Sequence, residues 1–195
     1  MGLREDKKRA TRELISGVAT AMFIERGFDN VTVAEIASAA NVSKMTVFNY
    51  FPRKEDLFFD RQAALQELLV ELARRRPLVP ALRSTLLELV EERHPYSGVR
   101  EGLHHFWQVV WDSPALLARA REMNEEAQDV MAAELVADYG PIRAAVVAGA
   151  VSTAIRQLYA SAMRALAGGM SVDELCPVQV RNINEVCDLL ESGIG

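Results

Sequence analysis

The sequence predicts an all-α protein of about nine helices, three short ones near the start and longer ones after, on three observations. Apolar residues recur at three- and four-residue intervals along nearly all of the 195 positions, the spacing that lines one face of a helix. No segment alternates apolar and polar residues as a half-buried strand does, and no internal repeat is found. Glycine, proline and capping residues fall where the apolar pattern starts and stops.

The first helix carries Leu14, Ile15, Val18, Ala19, Met22 and Phe23 as one stripe, while Lys8, Arg12, Ser16 and Thr20 fall elsewhere. Gly27 closes it, because glycine accepts the left-handed conformation of a carboxyl-terminal cap. The second helix begins at Thr32. Its segment Thr32-Val-Ala-Glu35 is a capping box, in which the threonine oxygen and the glutamate carboxylate satisfy free N–H groups of the first turn. Ile36, Ala37 and Ala40 form the inner face, and Asn41, able to adopt positive φ, turns the chain. Ser43 offers a new cap for a third short helix, Lys44 to Phe51, closed by Pro52.

Arg53 to about Arg75 reads as one long helix, with Leu57, Arg61, Ala64, Leu65, Leu68 and Leu72 three or four apart. Pro77 and Pro80 break it. Ala81 to Arg93 follows, then a turn over residues 94–98, then Val99 to Trp111. Ser113-Pro114 pairs a cap with a proline at the first helical position, and that helix runs to about Tyr139. Gly140-Pro141 ends it and opens the next, which stops at Gly168-Gly169. Ser171 to Glu174 is another capping box, which Pro177 is expected to interrupt, leaving a last helix from Pro177 to Glu191.

Half of the residues are hydrophobic and a quarter are charged. That composition excludes wholesale disorder, and the length is ample for a core without disulfides or structural metal. Two cysteines, Cys176 and Cys187, cannot build a disulfide scaffold, so a reduced, cytoplasmic setting is expected. No apolar run approaches the roughly 18 residues of a membrane span, and the first ten residues lack the apolar core of a secretion signal. The net charge of −5 argues against bulk attraction to nucleic acid. Residues 1–60 hold nine basic and nine acidic side chains, while residues 61–195 hold 13 and 18. Any nucleic-acid surface is therefore local to the first 60 residues.

Residues 32–57 fit such a surface. A short helix, a tight turn and a second short helix beneath a first long one make a helix-turn-helix. Val47 and Phe51 suffice to anchor the second short helix, leaving Lys44, Met45, Thr46, Phe48, Asn49 and Tyr50 on its other face. This mixture suits a DNA groove: donors for phosphates, an amide able to read adenine, and apolar atoms able to meet a thymine methyl. Thr32 and Lys54 stand at the starts of flanking helices, whose free N–H groups and partial positive charge suit phosphate. The same pattern also describes a compact trihelical unit with no nucleic-acid partner. Lys7, Lys8, Arg9 and Arg12 either reach the DNA backbone or minor groove or form a solvated helix start, where Glu5 and Asp6 offset part of their charge.

The segment resembles the DNA-binding domain of the tetracycline-repressor (TetR) family, with its pattern T-x-x-x-I-A-x-x-A-G-V-S-x-G-T-x-Y-x-Y-F-x-x-K-E-x-L. This sequence agrees at Thr32, Ile36, Ala37, Ala40, Val42, Ser43, Thr46, Tyr50, Phe51, Lys54, Glu55 and Leu57. Beyond residue 60 only length and helix count agree. Asn41 and Met45 stand where the pattern has glycine, and Phe48 where it has tyrosine; the last two bear on which bases are read. The resemblance implies a DNA-binding domain over residues 1–53 and a helical ligand-binding and dimerisation domain over 54–195. It implies phosphate contacts at Thr32, Thr46, Tyr50 and Lys54, and base edges faced by Lys44, Met45, Phe48 and Asn49. It implies a homodimer through the last two long helices, a palindromic double-stranded DNA operator, and a small-molecule effector.

In the second part, the helix from Pro141 to Ala167 is rich in small residues that let helices approach closely, and the last helix shows Val180, Ile183, Val186, Cys187 and Leu190. Both features serve a dimer interface or ordinary intrachain packing. By the resemblance, Phe106, Trp107, Trp111, Met123, Tyr159 and Met163 lie on helices around a ligand cavity, with Gln128 and Arg156 as polar groups. Each aromatic or methionine also reads as plain core. Arg156, in the most apolar helix, calls for a partner, either an acid in the dimer or a carboxylate on a ligand. No Gly-rich phosphate loop, nucleophile elbow or metal-ligand cluster appears, so neither enzymatic activity, cofactor nor metal is expected. The expected function is a ligand-responsive transcriptional regulator, a repressor released from its operator by a small apolar or amphipathic ligand. The alternatives are a helical scaffold without DNA binding and an enzyme.

Overall fold

The computed structural model describes residues 2–194. Among these are nine α-helices: α1 Leu3–Arg26, α2 Val33–Ala39, α3 Lys44–Tyr50, α4 Gln62–Arg74, α5 Leu78–Glu91, α6 Leu103–Asp112, α7 Pro114–Tyr139, α8 Pro141–Ala167 and α9 Val172–Ile194. Two short 3-10 turns, Glu55–Leu57 and Pro95–Ser97, complete the regular structure, and no strand occurs among the described residues. No helix among them is long and apolar enough to cross a membrane. The chain packs as two units, one of residues up to 62 together with 108–120, the other of residues 63–107 together with those from 121 on.

The first unit is built on α1, which buries Ile15, Ala19 and Phe23 completely at four-residue spacing. Leu14, expected in the same stripe, is exposed. The Phe23 ring meets Phe28 at 4.8 Å and Phe58 at 5.8 Å, and Val31, Ile36, Val47, Phe51 and Leu57 close the core. Residues 108–120 contribute fully buried Val110 and Leu116. They also make two polar ties: Ser113 Oγ donates to Asp29 Oδ1 at 3.3 Å, and Arg119 Nε donates to Asp56 Oδ1 at 3.0 Å.

The helix expected from Arg53 to about Arg75 is in two pieces, the 3-10 turn and α4. Phe58 is turned into the core of the first unit, and Asp60 Oδ2 accepts the Ser16 hydroxyl at 2.6 Å. These partners, distant in sequence, hold residues 58–61 out of the helix that their local spacing suggests.

In the second unit α9 packs against both α5 and α8. Leu175, Gln179, Ile183, Cys187 and Leu190 form its buried face, and Ala144, Val147, Ala148, Val151, Ala154, Leu158 and Ala162 form that of α8. Arg83 of α5 donates to the Asn184 carbonyl at 3.2 Å and to Asp188 Oδ1 at 2.7 Å on α9. α5 begins at Leu78, earlier than expected, because Pro80 lies in its first turn, where N–H groups have no intrahelical partner. α9 runs through Pro177, contrary to the expected break. The buried face on both sides of the proline keeps the helix together despite one missing N–H, and Ser171 caps its start by accepting from the Glu174 N–H.

Candidate nucleic-acid interface

Local chemistry sets both short helices of the first unit. Thr32 caps α2: its Oγ1 accepts from Glu35 N at 3.2 Å, and its N–H and hydroxyl both donate to Glu35 Oε2, at 2.8 and 2.7 Å. Arg26 Nη2 donates to Glu35 Oε1 at 2.7 Å. The Thr32 hydroxyl foremost, and then Arg26, hold the Glu35 carboxyl at a pKa of about 2. The turn into α3 passes through Asn41 at φ 52°, the left-handed conformation expected of it. Ser43 Oγ then accepts from Thr46 N at 3.0 Å and starts α3.

α3 is seven residues long. Val47 is its buried anchor, and Thr46 and Tyr50 are half-buried at the sides. Lys44, Met45, Phe48 and Asn49 are exposed, and their three- and four-residue spacing puts them on one continuous face. Met45 and Phe48 stand out, at 69% and 44% exposure.

Lys54, expected at a phosphate, and Arg12, read either as a DNA contact or as part of a solvated helix start, both have intramolecular partners. Lys54 Nζ donates to the Phe28 carbonyl at 2.6 Å and lies 4.1 Å from the centre of the Phe28 ring. Burial pushes its pKa below the ordinary lysine value. Arg12 Nη1 donates to the Tyr50 carbonyl at 2.8 Å, at the carboxyl end of α3, and its guanidinium lies 4.3 Å from the centre of the Phe51 ring. Arg12 thus satisfies a helix-end carbonyl and fixes the end of α3. Arg9 pairs with Asp6 at 3.2 Å on exposed α1.

The residues read from sequence as ligand contacts are spread over both units. Trp107 Nε1 donates to Tyr159 Oη at 3.1 Å, with Phe106 against the indole. Burial pushes the Tyr159 pKa up to about 12. Met163 is core, Met123 and Gln128 are half-buried, and Trp111 belongs to the first unit. Arg156 is exposed, so water meets its charge and the expected need for a partner does not arise within the chain. A cavity of about 10 Å³ in the second unit is lined by Leu86, Tyr96, Ser97, Ile155, Leu158, Tyr159, Gln179 and Ile183. That is room for about one water. Only Tyr159 of the expected set lines it. Gln179, 2% exposed, donates to the carbonyls of Ser97 and Leu158 at 3.1 and 3.3 Å, and its Oε1 is an unpaired acceptor. A glutamine four residues from both Leu175 and Ile183 was the sequence signal for this buried polar group. No cluster of metal-ligating side chains occurs among the described residues.

Comparison with known proteins agrees with this arrangement. Residues 15–60 match the family model of bacterial regulatory proteins, tetR family. The chain is 28% identical over 148 residues to the HTH-type transcriptional regulator TcmR of Streptomyces glaucescens, covering 71% of this chain and 65% of that one. It is 32% identical over 82 residues to the HTH-type transcriptional repressor Rv1474c of Mycobacterium tuberculosis, covering 42% of this chain and 44% of that one. The matched region thus spans less than two thirds of either relative. The fold is similar to that of NalD, the secondary repressor of the MexAB-OprM multidrug efflux pump in Pseudomonas aeruginosa. There the TM-score is 0.58 at 17% identity, over 93% of this chain and 97% of that one. Residues 15–60 are thus similar to the amino-terminal domain of the tetR family of bacterial regulatory proteins, and the chain as a whole shares the fold of NalD.

Proposed function

We propose that this chain is a ligand-responsive, DNA-binding transcriptional regulator, acting as a cytoplasmic repressor that a small molecule releases from its operator. The observation that carries the reading is the exposed face of α3, where Lys44, Met45, Phe48 and Asn49 stand free of the core while Val47 anchors the helix. Thr32, Thr46 and Tyr50 flank that face as phosphate contacts, and Lys54 adds a charge behind it.

DNA readout by a helix-turn-helix pairs two copies on a palindrome, with recognition helices about 34–36 Å apart. Apolar side chains that one chain leaves uncovered on α8 and α9 support a dimer through these helices: Ile142 is 80% exposed, Val146 64% and Leu189 70%. An effector that binds better to a dimer with another helix spacing weakens operator binding by linkage. A tenfold release needs about 1.4 kcal/mol of differential affinity. The second unit, with its Trp107–Tyr159 pair, is the proposed seat of the effector.

Selection of bound duplexes from a random pool tests the reading. Enriched sequences with inverted symmetry and half-sites one helical turn apart, or a multiple, are expected. A pool that shows no enrichment overturns it.

A further inference from the structure

Residues 36–54 contain Lys44, Arg53 and Lys54 and neither aspartate nor glutamate, in a chain whose net charge is −5. Of these, Lys44 is the charge on the exposed face of α3, since Lys54 is tied to the Phe28 carbonyl, so that face carries a cation and no acid to meet a polyanion. Within it, Met45 and Phe48 place two large apolar side chains in water, three residues apart on a seven-residue helix. Asn49 lies four residues after Met45, its neighbour on that face. Val47 and Phe51, at 1% exposure each, anchor the helix, while Met45 and Phe48 leave much of their apolar surface in water.

In a major groove the principal apolar group is the C5 methyl of thymine, and an asparagine amide pairs in bidentate fashion with N6 and N7 of adenine. We infer that the half-site under α3 is an A·T element, with adenine read by Asn49 and the C5 methyls of neighbouring thymines packed against Met45 and Phe48. This rests on the proposed DNA binding and adds which bases are read and through which atoms. Lys44 supplies the charge on this face; the discrimination is apolar.

The test uses the full chain and operators selected from a random pool. Each half-site thymine is replaced in turn by deoxyuridine, which removes one methyl and keeps every hydrogen bond. Affinity is measured by fluorescence anisotropy at one fixed salt concentration. A loss of about four-fold is expected for each contacted methyl, and about fifteen-fold for the two in a half-site, from the burial of one methyl-sized group each. Met45→Ala removes the uridine penalty at one position and Phe48→Ala at another, while Met45→Leu retains it. Circular dichroism verifies that the variants fold, as exposed positions should allow. Selected half-sites without A·T pairs, uridine operators bound as tightly as thymine ones, or a penalty that survives both alanine variants each overturn the inference and leave DNA binding standing. Failure to select any duplex removes both.

Discussion

Replacing Lys54 by methionine separates a stabilising role from a phosphate contact. Met keeps an apolar stem near the Phe28 ring and deletes the ammonium. The ammonium donates to the Phe28 carbonyl at 2.6 Å and lies 4.1 and 5.6 Å from the centres of the Phe28 and Phe23 rings. A hydrogen bond from a charged donor contributes about 1.5–3 kcal/mol, and a cation over an aromatic face at a partly exposed site about 0.5–1 kcal/mol. Burial opposes both, as the lowered pKa of this lysine records. The net loss in Lys54→Met is set at about 2 kcal/mol, a fall in Tm of about 4–8 °C for a chain of this size. Thermal unfolding followed by circular dichroism reads the total. Hydrogen exchange over residues 24–34 reads the local opening. If the ammonium is engaged at Phe28, the salt slope of DNA binding falls by clearly less than one in the variant. An unchanged Tm together with a slope lowered by about one would refute this reasoning and return Lys54 to the DNA backbone.

Glu35, with a pKa of about 2 against an ordinary 4.5, favours the folded state above the ordinary value and loses that contribution as pH falls toward 2. Carboxyl NMR should place its midpoint near 2, and Glu35→Gln should flatten stability across that window; a midpoint near 4.5 contradicts the capping geometry. Gly98→Ala meets two penalties, because φ is 77° and a Cβ would lie 2.9 Å from that of Ala162. The left-handed backbone costs about 1–2 kcal/mol and the overlap about 1–3 kcal/mol. Gly102→Ala, at φ 75° with open space around it, should lose only the first; equal losses in urea titrations would dismiss the contact. At Asn41, φ 52°, alanine should lower stability by about 1 kcal/mol and glycine should change it little, again by urea titration; no difference between the two variants would deny the left-handed turn a role.

Much of the first unit was legible because its signals are local. The Thr32–Glu35 box, the Ser43 cap and the Asn41 turn each act within four residues, and all are present as read. The face of α3 followed from the same spacing. What the sequence concealed depends on partners far along the chain. Lys54 meets a carbonyl 26 residues earlier and Arg12 one 38 residues later, so one expected phosphate ligand and one cation with two open readings both hold the protein's own backbone. Ser16 and Phe23 draw Asp60 and Phe58 inward and end a helix that periodicity alone continues. Pro177 misled in the other direction, since burial on both sides of it outweighs one absent hydrogen bond. The spacing of Gln179 to Leu175 and Ile183 hinted at its burial, but its partners, the carbonyls of Ser97 and Leu158, lie 82 and 21 residues away.

Residues 108–120 have an engineering consequence. Leu116 lies wholly inside the first unit, Ser113 holds Asp29 and Arg119 holds Asp56, so the body that carries α3 is not a contiguous amino-terminal cassette. A chimera that grafts residues 1–62 onto a foreign sensor would lose the Ser113 and Arg119 ties to both aspartates and bare the apolar wall that Leu116 covers. A transplant that also carries 108–120 keeps them matched, and splice sites for swapping specificity into or out of this scaffold belong on either side of that second stretch.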